Sequence, residues 1–217
     1  MFENLTKGHL MKIVLNYIGQ LRIYSLVDLA LLLVAVGATN EEFFGVFCLH
    51  IGFLAYLEGR HAHNGRVIVP KWTWAVFALV GMLFYQKFEA ILFLVGGYLY
   101  TKKNTVSWGI LSPFFRGFQL FFLMAGICGY SVCLPLVALV VSFIRNLIGD
   151  WRDVGKDQQA GMKTLPILLG IEHDLKYGHL IAVTMSTTVW WSYTDLSFYV
   201  LFYAIVIEVA TYNLTPR

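Results

Sequence analysis

Leu134-Pro-Leu-Val-Ala-Leu-Val-Val-Ser-Phe-Ile-Arg145-Asn-Leu-Ile-Gly-Asp150-Trp-Arg-Asp153-Val-Gly-Lys-Asp157 joins a continuously apolar run to three closely spaced carboxylates. The apolar part gives the fold class. Such a run does not alternate as a barrel strand would, so it reads as a membrane helix. The polar part gives the candidate site. On a helix, positions i, i+3 and i+7 fall within roughly 60° of one another, so Asp150, Asp153 and Asp157 are expected to share one face. Carboxylates crowded in this way repel unless a cation holds them, and hard oxygen donors select Mg²⁺ or Ca²⁺ over softer metals. Lys163, in the mixed loop that follows, is available to meet an anion. An acidic triad at a membrane edge, followed by a basic loop, suggests a metal-bound phosphate ester.

Composition carries the same reading outward. Hydrophobic residues make up 58% of the 217 and charged residues only 13%, about half the charged share of soluble domains. Apolar runs recur at 26–39, 43–57, 72–85, 90–101, 117–128, 130–144, 180–194 and 196–212. They predict an all-α, polytopic membrane bundle of about eight to nine transmembrane helices forming one integral-membrane domain, 1–217. No cleavable leader is expected from the amino end.

Lys and Arg set the orientation. Lys7, Lys12 and Arg22 precede the first run. Arg60, Arg66 and Lys71 follow the second, and Lys102 and Lys103 the fourth. Arg145, Arg152, Lys156, Lys163 and Lys176 cluster after the sixth, and Arg217 follows the eighth. The alternate connections hold Glu41 and Glu42, Lys87 with Glu89, and Asp195. Both termini and the polar loops are therefore expected in the cytoplasm. The second and sixth runs each lead into a long charged loop on that face. This echo suggests two four-helix halves around a central cavity.

The remaining signals are weaker. Cys48, Cys128 and Cys133 lack metal-ligand spacing and read as small buried hydrophobes. His61 and His63 have no third partner nearby and read as loop residues near an anion. The net charge of +3 is what the positive-inside rule produces and does not point to nucleic acid. Asp28 is an ionisable group within an apolar run, hence costly there; Arg116 is its expected partner.

The stretch 150–170, with Asp-x-x-Asp-x-x-x-Asp, then Gly161-x-Lys163-Thr164-Leu165-Pro166 and Gly170, resembles the second aspartate motif of the UbiA-type intramembrane prenyltransferases. Tyr98, Tyr100, Lys102 and Lys103 close the fourth run much as that family's Tyr and Lys do. Arg22 stands before the first helix core, and Arg66-Val-Ile-Val looks like the family's Arg-Pro-Ile-Val. Two departures stand out. The first aspartate motif is reduced to Glu58, with Asn64 as a neutral oxygen donor, and eight apolar runs stand where the family usually has nine helices.

The resemblance implies transfer of an isoprenyl group from an allylic isoprenyl diphosphate to an aromatic or other lipophilic acceptor within the lipid bilayer. It implies Mg²⁺ held by Asp150, Asp153, Asp157 and Glu58. It also implies diphosphate contacts from Lys163, Lys102, Arg66 and Arg152. Neutralising the departing diphosphate is worth several kcal/mol in such chemistry. The degraded first motif motivates an alternative, a non-catalytic relative that binds isoprenoid diphosphate or a quinone-like lipid. CDP-alcohol phosphotransferases, another Mg²⁺-dependent membrane class, need an Asp-Gly-x-x-Ala-Arg that this chain lacks.

Overall fold

The computed structural model describes residues 19–60, 70, 72–104 and 108–214. Arg66, His61, His63 and Asn64 lie outside them. The described residues form ten α-helices and two 3₁₀ turns, with no strand among them. Every apolar run of the sequence falls in or against a helix. These are α1 (Ile23–Ala35), α2 (Asn40–Arg60), α3 (Thr73–Tyr85), α4 (Glu89–Tyr100), α5 (Ser112–Cys128), α6 (Leu134–Arg152), α9 (Gly178–Trp191) and α10 (Phe198–Tyr212). Two short helices, α7 (Val154–Gln159) and α8 (Leu165–Leu168), follow α6. Three stretches are long and apolar enough to cross a membrane: Asn40–Gly59, Gly109–Cys128 and Leu134–Arg152.

Local chemistry sets the helix ends. α1 stops at Gly37, whose φ of 71° suits a residue without a Cβ. There Gly37 N–H bonds to Val34 O at 3.0 Å and Ala38 N–H to Leu33 O at 3.0 Å, the paired bonds of a Schellman cap. α2 starts with a capping box. Thr39 N–H donates to Glu42 at 2.9 Å, and the Glu42 N–H donates back to Thr39 Oγ1 at 3.3 Å. Pro113 and Pro135 occupy the first turns of α5 and α6, where a missing N–H costs nothing.

Close backbone approach joins α2 to α3. A Cβ on Gly45 would stand 2.6 Å from the Tyr85 backbone nitrogen, and one on Gly81 would stand 2.7 Å from the Leu49 side chain. Small residues that let helices approach are how such bundles gain packing when lipid supplies no hydrophobic drive. Leu32, Leu33, Leu49, Phe93, Leu123, Met124 and Trp190 fill the interior.

Helix packing departs from two sequential halves. α1 packs mainly on α9 and α10, with little contact to α2, and α4 packs on α5. The reason is polar. Asp28 on α1 meets Arg145 of α6 and not the expected Arg116; Arg116 instead donates to Gln119 at 2.9 Å. Asp28 also accepts from Ser186, Thr187 and Trp190 of α9 at 2.5, 3.2 and 3.0 Å. In an apolar interior those bonds have few substitutes, so α1 is drawn to the C-terminal helices. Cys48 is buried as expected, whereas Cys133 is exposed before α6.

Candidate functional site at the polar end of the bundle

The three aspartates do not ride on one helix. α6 ends at Arg152, and Asp153 adopts φ −106°, ψ 15° before α7 begins at Val154. The buried Val154 turns inward at this break, and Asp174 fastens the new helix by accepting from Gly155 N–H at 2.8 Å. The break gives each carboxylate its own surroundings.

Asp150 is buried, accepting from Ser112 Oγ at 2.7 Å and pairing with Lys103 at 3.2 Å. Both donors reach it because the 3₁₀ turn Gly109–Leu111 lies hard against the loop after α7: a Cβ on Gly109 would meet the Lys163 carbonyl at 2.4 Å. Lys103 is buried too. Burial works against its charge, but Asp150 first, then Tyr100, Asp157 and Asp153 outweigh it and raise its pKa. Asp153 takes the Arg152 guanidinium in two bonds, at 2.9 and 2.5 Å. Burial pushes that carboxyl up, yet the Arg152 bonds and the charges of Arg152, Lys103 and Lys156 bring its pKa below the usual value.

Asp157 differs from both. It is 2% exposed, and its Oδ2 has no hydrogen-bond partner. Burial raises its pKa to about 6; Lys103 opposes the rise, and Asp150 and Asp153 add to it. Beside it in the chain's next turn, Thr164 Oγ1 is also buried without a partner.

Glu58, at the end of α2, is buried in an ion pair with Arg22 at 3.0 Å. Arg22 sits just before α1 with φ 49°. Lys163 is exposed. Lys102 stands 4.9 Å from the centre of the Tyr98 ring, so Lys103, the neighbouring lysine, is the one that reaches Asp150. Arg152 also approaches Tyr212 OH at 3.3 Å, and Tyr212 in turn meets His179 at 3.2 Å.

Below this mouth a cavity of about 60 Å³ opens between α1, α2, α4, α5, α6 and α9, room for a few waters or a small polyatomic anion. Three guanidinium groups line it, Arg22, Arg116 and Arg145. Glu58 answers the first and Asp28 the last, while Arg116 has a neutral amide, Gln119, and stacks 4.5 Å from the Phe53 ring centre. His50 also lines it, with Nε2 3.4 Å from Ser25 Oγ and Nδ1 unpartnered. The cavity thus offers one cation more than its carboxylates balance, a field suited to an anion.

Reading the sequence missed Lys103, Ser112 and the arginine-lined cavity. The signal for the cavity was present, because Arg116, Arg145 and His50 are ionisable groups within or beside apolar runs.

The donor chemistry at the mouth fits the Mg²⁺ that the resemblance implies. The orphan oxygen of Asp157 is a hard donor, and Mg²⁺ usually takes one or two carboxylates and completes its shell with water and phosphate oxygens. Among the described residues no three of His, Cys, Asp and Glu stand close enough to hold a metal by themselves. The arrangement suits a cation shared with a phosphate ligand, with Asp157 and Asp153 as protein donors. No family model, no curated protein and no solved structure matches this chain.

Proposed function

We propose that this chain is a multi-pass membrane prenyltransferase of the UbiA type, transferring an isoprenyl group from an allylic diphosphate to an aromatic or other lipophilic acceptor with Mg²⁺ assistance. In this reading the eight apolar helices cross the bilayer around the arginine-lined cavity, and the Asp150–Lys163 segment faces the cytoplasm. The observation that carries it is Asp157, buried at the mouth with an unpartnered carboxylate oxygen beside Asp150, Asp153 and Lys103.

The chemistry asks three things of the protein. The allylic C–O bond breaks with its electron pair going to the diphosphate, so charge grows on phosphate oxygens and must be neutralised. Mg²⁺ supplies much of that neutralisation when bound. Lys103, fixed by Asp150 and Ser112, adds a positioned positive charge at the same mouth. The allylic cation must then meet the acceptor before water does. Burial between α1, α5 and α6 excludes bulk solvent, and aromatic rings such as Tyr100 and Phe53, which line the cavity, offer π faces to a cation. Bond formation to the acceptor releases a proton, and the unpartnered His50 nitrogen is a basic atom in reach of the cavity.

A second reading, a non-catalytic relative that binds isoprenoid diphosphate or a quinone-like lipid, is favoured by one specific feature. Glu58 is already neutralised by Arg22 and Asp150 by Lys103, leaving fewer carboxylates for cations. Purified protein incubated with Mg²⁺, labelled allylic diphosphates of several lengths and a panel of acceptors separates the two. A prenylated product that is lost in Asp157→Asn supports transfer. Diphosphate binding with no product from any pair supports the binding protein.

A further inference from the structure

A second cavity opens on the opposite side of Phe53 from Arg116. α3 packs on α2, and α4 packs on α5, with little contact between α3 and α4 themselves. The two are joined by a tight turn at Gln86, whose φ is 52°. They therefore diverge away from that turn and leave a wedge of about 470 Å³ against α2. Phe53 and Phe93 contribute to its walls; Tyr56, Trp74 and Tyr98 lie toward its wide end. Tyr56 and Trp74 meet edge to face at 5.3 Å, and the Lys102 ammonium stands over Tyr98.

We infer that this wedge binds one anionic bilayer phospholipid, its hydrocarbon chain between α3 and α4 and its phosphodiester at Lys102. The inference rests on the membrane placement proposed above and not on the transfer chemistry. The lining is aromatic and aliphatic, as a hydrocarbon chain requires. Tyr and Trp at the wide end have the amphipathic rings that sit at the headgroup level of a bilayer. The cation at that level matches an anionic headgroup. A phosphodiester carries a single charge, which one lysine answers. A diphosphate carries several, and the cations able to answer those are gathered at Lys103 and around the arginine-lined cavity instead. Phe53 lines both spaces, so a chain seated in the wedge presses on a wall of the polar cavity.

Fluorescence of the full chain in nanodiscs tests this, using phospholipids brominated in mid-chain. Trp74 lies on the wedge, and the quenching lost in Trp74→Phe reports its share of the signal. Brominated phosphatidylglycerol should quench that share at lower mole fraction than brominated phosphatidylcholine. Lys102→Gln should reduce the preference about fivefold, the scale of one basic residue at a membrane surface. Val95→Phe, which adds bulk at a half-exposed wall position, should reduce quenching by both lipids. Equal quenching by the two lipids in the unaltered protein overturns the assignment. So does a preference untouched by Lys102→Gln, or quenching untouched by Val95→Phe. Stoichiometric displacement of brominated phosphatidylglycerol by farnesyl diphosphate would give the wedge to an isoprenoid donor and also overturn the assignment.

Discussion

Asp28 and Asp157 are both almost fully buried, and their surroundings could hardly differ more. Asp28 lies in the middle of an apolar helix and is met by four donors, from Arg145, Ser186, Thr187 and Trp190. Asp157 lies at a helix break near the polar end, with one oxygen that nothing in the protein meets. A charge buried in an apolar interior is tolerated when its surroundings are complete. Asp28 is therefore a fastener, holding α1 to α6 and α9. Asp157 is incomplete, which is the condition of a group that waits for a ligand.

The largest effect should come from breaking the fastener. Asp28→Leu leaves Arg145 buried without its carboxylate and should cost about 3–5 kcal/mol of stability, read as the shift of an unfolding midpoint in denaturing detergent. The double variant Asp28→Leu with Arg145→Leu should recover most of that loss, because no unpaired charge remains. If the single variant costs under about 1 kcal/mol, the contrast between the two aspartates is false.

Glu58 tests an intermediate case, a carboxylate paired with one arginine. Glu58→Gln should cost about 1–2 kcal/mol through the weakened bond to Arg22. It should also disturb diphosphate-dependent Mg²⁺ binding less than Asp157→Asn does, a comparison that isothermal titration of the two variants settles.

The incomplete aspartate should show a pH signature of opposite sign to an ordinary salt-bridged carboxylate. Its folded pKa, about 6, lies above the usual aspartate value. The stability it contributes is full below the unfolded pKa near 4 and is lost as pH rises through 6. Asp157→Asn should therefore raise the thermal midpoint at pH 8 and leave it nearly unchanged at pH 4. A lower midpoint at pH 8 would mean that the charge at Asp157 is compensated within the protein.

The smallest effect belongs to a feature away from both aspartates. Thr39→Ala removes one arm of the α2 capping box and should cost about 1 kcal/mol, measured in the same detergent titration. Little change in diphosphate binding should accompany it.

How much of this the sequence carried differs between the same two regions. The helices were readable because each apolar run is long enough to bury or face lipid along its length. The break after Arg152 was not. Spacing of i, i+3 and i+7 assumes an uninterrupted helix, and nothing local in Trp-Arg-Asp-Val-Gly interrupts one as proline would. The turn depends on Val154 going inward and on Asp174 capping from 19 residues away. The choice of Lys103 over Lys102 for Asp150 likewise depends on how the 101–111 segment seats against Lys163, a long-range contact. For Asp28, the need for a partner was plain from its apolar surroundings. Which arginine would serve was not, since Arg116 and Arg145 both approach the same cavity.

The most direct test of the account is Mg²⁺ binding in the presence of a non-hydrolysable allylic diphosphate analogue, compared between the unaltered chain and Asp157→Asn at pH 7.5. The account predicts Mg²⁺ binding that requires the analogue and weakens at least about tenfold in the variant, a loss of about 1.4 kcal/mol. Binding of equal strength in the two proteins, or Mg²⁺ binding indifferent to the analogue, would contradict it.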